Sequence, residues 1–124
     1  MKILMVDDEA DIRRVARLSL TRLGGMEVVE AASGQEALEQ AKTSAPDAIL
    51  LDVMMPGMDG PAVLSALRAD PATAGIPVVF LTAKAMTSEV ERLQGLGALA
   101  VLTKPFDPVS LAQELRAALR GAGL

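Results

Sequence analysis

Short apolar runs alternate along the chain with segments whose apolar positions recur every three or four residues. A strand buried on both faces of a sheet is apolar throughout, whereas a helix lying on that sheet carries one apolar stripe. The first run, Ile3-Leu4-Met5-Val6, is followed by Ile12, Val15, Ala16, Ser19, Leu20 and Leu23 at helical spacing, with Gly24-Gly25 as the stop. Met26 to Ala31 reads as a second strand. Ser33-Gly34-Gln35-Glu36 has the spacing of a capping box and opens a helix through Ala37, Leu38 and Ala41 that ends before Pro46. The strand Ala48 to Leu51 comes next, then the turn formers Met55-Pro56-Gly57-Met58-Asp59-Gly60, then a helix begun by Pro61 with Leu64 and Leu67 inward. Pro77 starts a fourth strand, Val78-Val79-Phe80-Leu81. Ser88-Glu89-Val90-Glu91 repeats the capping-box pattern at the head of a short helix with Val90 and Leu93, broken at Gly95 or Gly97. Ala100 to Leu102 is the fifth strand. Asp107-Pro108 offers an N-cap and a first-position proline to a last helix with the stripe Leu111, Leu115, Ala118 and Leu119, and Gly121-Ala122-Gly123-Leu124 reads as a frayed end.

Five strands and five helices in strict alternation, with connections too long for hairpins, predict an α/β fold: a doubly wound parallel sheet covered by helices on both faces. The 124 residues fit one domain, 1–124, able to bury about two thirds of the surface of the unfolded chain. In such sheets ligands gather beyond the carboxyl ends of the strands, near the point where strand order reverses. Asp7 and Asp8 follow the first strand, Asp52 the third and Thr82 the fourth, and Lys104 lies just past the fifth. Three carboxylates, a hydroxyl and an ammonium on one edge suit a phosphoryl group handled with a divalent metal. Carboxylates held that close repel, which raises at least one pKa unless a cation is present.

Composition narrows the partners. Twelve basic residues against 16 acidic ones, a net charge of -4, argue against a nucleic-acid surface and for a protein or small-ion partner. The chain has no Cys and no His, which excludes disulfides, thiol chemistry and zinc sites of the usual kind. The opening residues run into Asp7-Asp8-Glu9 too soon for a secretory leader, and nowhere are there about 18 consecutive apolar residues. A soluble, cytoplasmic protein with no membrane attachment is expected.

Four stretches together resemble the receiver domain of two-component response regulators, in its chemotaxis-regulator-like single-domain form: Met5-Val6-Asp7-Asp8-Glu9, Leu50-Leu51-Asp52-Val53-Met54-Met55-Pro56-Gly57-Met58-Asp59-Gly60, Leu81-Thr82-Ala83 and Leu102-Thr103-Lys104-Pro105-Phe106. The resemblance covers essentially the whole chain and implies the flavodoxin-like order 2-1-3-4-5, which rests on it and not on periodicity alone. It implies that Asp52 is the phosphoacceptor, forming an acyl phosphate with a phosphoryl group from a phosphohistidine. It implies Mg2+, with Mn2+ as a substitute, held by Asp7, Asp8, Asp52 and the backbone carbonyl of Met54; two adjacent acids otherwise serve to cap a first helix. Lys104 would pair with Asp52 and then with a phosphoryl oxygen, aimed by a cis bond to Pro105, and Thr82 would hydrogen-bond the phosphoryl group. The partners implied are a histidine kinase or histidine phosphotransfer protein and a downstream protein effector. The domain so implied is a phosphoaccepting signalling module and not an enzyme with a small-molecule product; this chain holds no output domain and is expected to be either a stand-alone regulator or an excised module of a longer protein.

One position departs from the family pattern. Many receivers carry Tyr or Phe three residues before the lysine, where this chain has Val101, which cannot act as a swinging ring. Met54 and Lys84, two after Asp52 and Thr82, offer no carboxylate or amide to orient a hydrolytic water, so a slow loss of phosphate is expected. Met54, Met55 and Met58 suggest either a soft docking surface or plain packing. Two other classes fit less well. A phosphatase or phosphotransferase of the haloacid-dehalogenase type carries a second acid two residues after the nucleophile, where this chain has Met54. A flavodoxin-like cofactor binder wants a phosphate loop after the first strand and aromatics for the ring, against Asp7-Asp8-Glu9 and two Phe with no Tyr or Trp.

Overall fold

The structure, a computed structural model, describes residues 1–84 and 86–123. Strands β1 (Lys2–Val6), β2 (Glu27–Ala31), β3 (Ala48–Asp52), β4 (Val78–Thr82) and β5 (Ala100–Thr103) alternate with helices α1 (Ala10–Leu18), α2 (Gly34–Ser44), α3 (Gly60–Ala69), α4 (Thr87–Gly95) and α5 (Leu111–Gly121). The sheet is parallel throughout, in the order β2-β1-β3-β4-β5. This is the doubly wound α/β architecture that the alternation predicts, in the order that the resemblance implies. The expected frayed end closes on Leu124, which lies outside the described residues.

Period-two alternation divides the central strands between two cores. Leu4, Val6, Ile49, Leu51, Val78 and Phe80 face one side, under Ala37 and Ala41 of α2, Val63, Leu64 and Leu67 of α3 and Leu93 of α4. Ile3, Met5, Ala48, Leu50, Val79 and Leu81 face the other, under Ala16 of α1, the nearby Leu20, and Leu111, Leu115 and Leu119 of α5. Each of the Val, Leu, Ile, Met and Phe side chains among them, removed from water, contributes about 1.5–3 kcal/mol. That is why β3 and β4 show no polar residue before Asp52 and Thr82 at their ends.

Local signals hold in some places and shift in others. Ser33 accepts a hydrogen bond from the Glu36 amide (3.2 Å), so α2 starts where its capping box predicts, and Asp59 accepts one from the Ala62 amide (2.9 Å), which starts α3 at Gly60, one residue before Pro61. The second capping box does not form. Helix α4 begins at Thr87, two residues early, with Met86 at the cap in place of Ser88 and no side-chain cap bond, so Ser88 lies inside the helix. Asp107 accepts the Val109 amide (2.9 Å) but caps a separate turn, and α5 starts three residues beyond Pro108, at Leu111. Helix α1 passes into a π-helical turn over Ser19–Leu23 before Gly24. The wider turn rotates the register, leaving Leu23 exposed, and Val15 is likewise outside the core stripe.

At the sheet edge where the strands begin, Arg68 at the end of α3 binds three backbone carbonyls. It reaches Ala74 (3.1 Å) and Ile76 (2.7 Å) in the loop before β4, and Gly97 (3.3 Å) in the loop before β5. Desolvation draws its pKa down, yet a guanidinium stays charged at any ordinary pH.

Candidate functional site

The opposite edge collects the chemistry. β1 pairs with β3 through Val6 and Leu51, so the residues that follow, Asp7 and Asp52, leave the sheet side by side. Register sets Asp52 against Leu81 and Thr82 against Thr103. Asp7 is wholly buried, Asp52 is 4% and Thr82 3% exposed, while Asp8 is open to solvent. Carboxylate oxygens of Asp7, Asp8 and Asp52 all lie within 4.8 Å of one another.

Lys104 reaches into this cluster from the loop after β5. Its ammonium stands 2.7 Å from Asp7 Oδ2 and 3.2 Å from Asp52 Oδ1. The Lys104 amide donates to the Thr82 carbonyl (2.8 Å), and the Lys104-Pro105 bond is cis, as the resemblance implies. Burial, and then repulsion from Asp7, raise the Asp52 pKa, against the pull of Lys104 and of the Met54 amide. For Lys104 burial works the other way, but its contacts with Asp7 and Asp52 outweigh it and the pKa is raised. The ammonium is therefore held charged between the two acids.

Asp7 Oδ1 accepts the Glu9 amide (2.9 Å). Its Oδ2 is fully buried and receives no hydrogen bond of regular geometry, although the Lys104 ammonium lies close. The two facts describe one contact, a near but poorly aligned ion pair. A buried carboxylate oxygen in that condition, with two further carboxylates at hand, is a donor set matched to a hard divalent cation that takes oxygen ligands and keeps several waters.

Thr82 Oγ1 accepts the amide of Lys84 (3.0 Å), and Lys84 and Ala83 are exposed on the loop that follows. Met54 is 72% exposed above the edge, whereas Met55 is buried in the core and Met58 packs partly against it. Packing therefore accounts for Met55 and Met58. The sequence marks Gly60 only as the last of a run of turn formers, yet a Cβ there would come within 2.5 Å of the Asp52 carbonyl and 2.9 Å of Val53 Cα. Glycine at that position lets α3 start directly beneath the acidic cluster. Beside Lys104, a hollow of about 310 Å3 is lined by Glu9, Ile12, Val15, Ala83, Pro105 and Phe106, which is where the unexpectedly outward Val15 goes.

The profile of the response regulator receiver domain matches residues 3–116. The probable transcriptional regulator ycf27 of Pyropia yezoensis is 42% identical over 98% of this chain and 48% of its own length. The phosphate regulon transcriptional regulatory protein PhoB of Pseudomonas aeruginosa is also 42% identical, over 98% of this chain and 52% of its own. The chain thus spans about half the length of these curated relatives. The solved structure of the Vibrio cholerae chemotaxis protein CheY4 superposes with a TM-score of 0.87 at 34% identity, covering 94% of this chain and 97% of that one. Among the described residues no helix is long and apolar enough to cross a membrane. Taken with the sheet order and the acidic edge, these matches make the chain a member of the response regulator receiver domain family of two-component systems.

Proposed function

We propose that Asp52 accepts a phosphoryl group from a phosphohistidine of a histidine kinase or phosphotransfer protein, and that the resulting aspartyl phosphate alters the edge at which a protein effector reads the domain. A carboxylate oxygen of Asp52 attacks phosphorus in line, the bond from phosphorus to the imidazole nitrogen breaks, and that nitrogen keeps the electron pair and is free to take a proton. The observation that carries this reading is the pairing of the 4%-exposed Asp52 with the Lys104 ammonium at 3.2 Å inside a three-carboxylate cluster.

The remaining roles follow from position. Lys104 offers its charge to a phosphoryl oxygen as Asp52 gives up its own, which needs no proton transfer. Thr82 can donate its hydroxyl hydrogen to a second oxygen while still accepting the Lys84 amide. Asp7, Asp8, Asp52 and the Met54 carbonyl would hold Mg2+, which when bound offsets the negative charge that acceptor and donor bring together. Mn2+ meets the same oxygen preference. The apolar hollow by Ile12, Val15 and Phe106 gives a donor protein ground to rest on next to the acceptor.

Incubation with a phosphorylated kinase, or with a small acyl phosphate and Mg2+, should label the wild type and leave Asp52→Asn unlabelled but folded. The bond should be labile to hydroxylamine, and excess chelator should abolish labelling. Acid-stable labelling that persists in Asp52→Asn would assign the phosphate to a hydroxyl and end this reading.

A further inference from the structure

We infer that Arg13 is a positioning residue for the acidic cluster, fixing the peptide that carries Asp8. The inference rests on reading Asp7, Asp8 and Asp52 as the cation site. Asp7 is where β1 leaves the sheet: its amide still donates to the Ala31 carbonyl (3.2 Å), but its own carbonyl lies past the last strand pair. One turn into α1, Arg13 reaches back and donates Nη1 to that carbonyl at 2.7 Å. Its Nε donates to Glu30 Oε1 of β2 at 3.2 Å, and Arg17 holds the other oxygen of Glu30 at 3.1 Å. The Arg13 side chain is 17% exposed, so the guanidinium is packed between strand and helix.

The peptides on either side of Asp8 are thereby both held. Arg13 grips the Asp7 carbonyl, and Asp7 Oδ1 takes the amide of Glu9. Asp8 is the exposed member of the cluster and hangs between those two peptides, and among the described residues its carboxylate makes no hydrogen bond or ion pair of its own. Its carboxylate stays near Asp7 and Asp52 because neither peptide can turn. Lysine could not replace the fork, because one ammonium cannot span both the carbonyl and Glu30 in the same planar geometry.

Charge and geometry make opposite demands on Arg13, which renders the inference decidable. As a cation near a cation site it repels Mg2+, so its removal would tighten binding; as a positioning residue its removal loosens Asp8 and weakens binding. Glu30, which Arg13 shares with Arg17, offsets part of that charge at close range, whereas among the described residues nothing else holds the Asp7 carbonyl, so geometry should win. The experiment measures the Mg2+ dissociation constant by calorimetry for wild type, Arg13→Met and Arg13→Lys, together with exchange of the Asp8 and Glu9 amides by NMR. Arg13→Met should bind Mg2+ roughly tenfold more weakly, the usual loss when a group that orients a ligand is removed. Its Glu9 amide should exchange faster, and Arg13→Lys should fall between. Equal or tighter binding by a folded Arg13→Met overturns the inference. Should that variant fail to fold, Arg13→Lys decides, since unchanged affinity there would overturn it equally. A wild type that binds no Mg2+ would instead overturn the reading of the cluster itself.

Discussion

Burial and the nearby carboxylate of Asp7 make Asp52 a weaker acid in the folded chain than in the unfolded one. A raised acid pKa favours folding below the unfolded value and withdraws that support as pH rises through the folded value. At neutral pH and without Mg2+ the ionised Asp52 is thus a burden, while Lys104 keeps Asp7 as a second partner. Asp52→Asn should melt higher than wild type in chelator at pH 7, with the gap closing as pH falls toward 4; a gap that widened on acidification would contradict the sign. Two flanking residues bear on the opposite end of the cycle. Met54 is exposed at the rim and Lys84 sits on the loop tied to Thr82, and neither side chain can orient a water for attack on the acyl phosphate. Met54→Asn and Lys84→Glu should each speed loss of phosphate in excess Mg2+, followed by decay of the label. Rates equal to the wild type in both variants would dispose of this account. The acids, Thr82 and Lys104 were legible in the sequence because each sits where an apolar run stops. Gly60 and Arg13 were not, because a close approach between backbone segments and a side chain reaching back six residues leave no periodic mark.

The elements were legible wherever burial alone decides them. β1 after Lys2, and β3 and β4 up to their last residue, are apolar on both faces, and runs this short between turn formers suit a strand buried on both sides. The misplaced starts of α4 and α5 share one feature: a capping pattern reports only a local preference, and neither helix uses it, since Met86 and Ser110 stand at the caps without a side-chain cap bond. The α4 case bears on signalling. Its first turn has no side-chain cap, and the loop before it is tied to β4 through the Thr82 hydroxyl and the Lys84 amide. A hydroxyl drawn toward a phosphoryl group would carry that amide with it, and an uncapped helix start offers little resistance. With Val101 on β5 in place of a ring, the switch is expected to run through Thr82 and the loop that follows it. Moving a 1:99 balance to 99:1 needs about 5.5 kcal/mol of differential binding. Thr82→Ala should therefore still be phosphorylated but show much smaller backbone NMR shift changes across 83–101. A full-sized response would place the switch elsewhere.

At the scale of the molecule the strand order needed more than periodicity, since alternation specifies a parallel sheet with helices on both faces but not which strand lies at its centre. Family resemblance supplied the order, and the observed pairing agrees. What remained hidden in the sequence is that the two edges of the sheet are built for different ends. The edge where strands begin is stitched: Lys2 donates its amide to Asp47 (2.7 Å) and its ammonium to the Ser44 carbonyl (2.8 Å), and Arg68 joins three carbonyls across two loops. Arg68→Met would leave those carbonyls short of donors, costing about 1–3 kcal/mol in urea unfolding. It should speed amide exchange at Gly97 and Ala98 while Asp52 remains as readily labelled. Loss of labelling in the folded variant would show that the edges are not independent. If they are, insertions and tags placed near Ala74 and Gly75 will weaken the framework without touching the signal, whereas crosslinks between Lys84 and the rim opposite would silence a framework that stays intact. The Arg68 clamp thus gives an engineer of biosensors a fixed frame of reference, against which movement of the reactive rim can be measured.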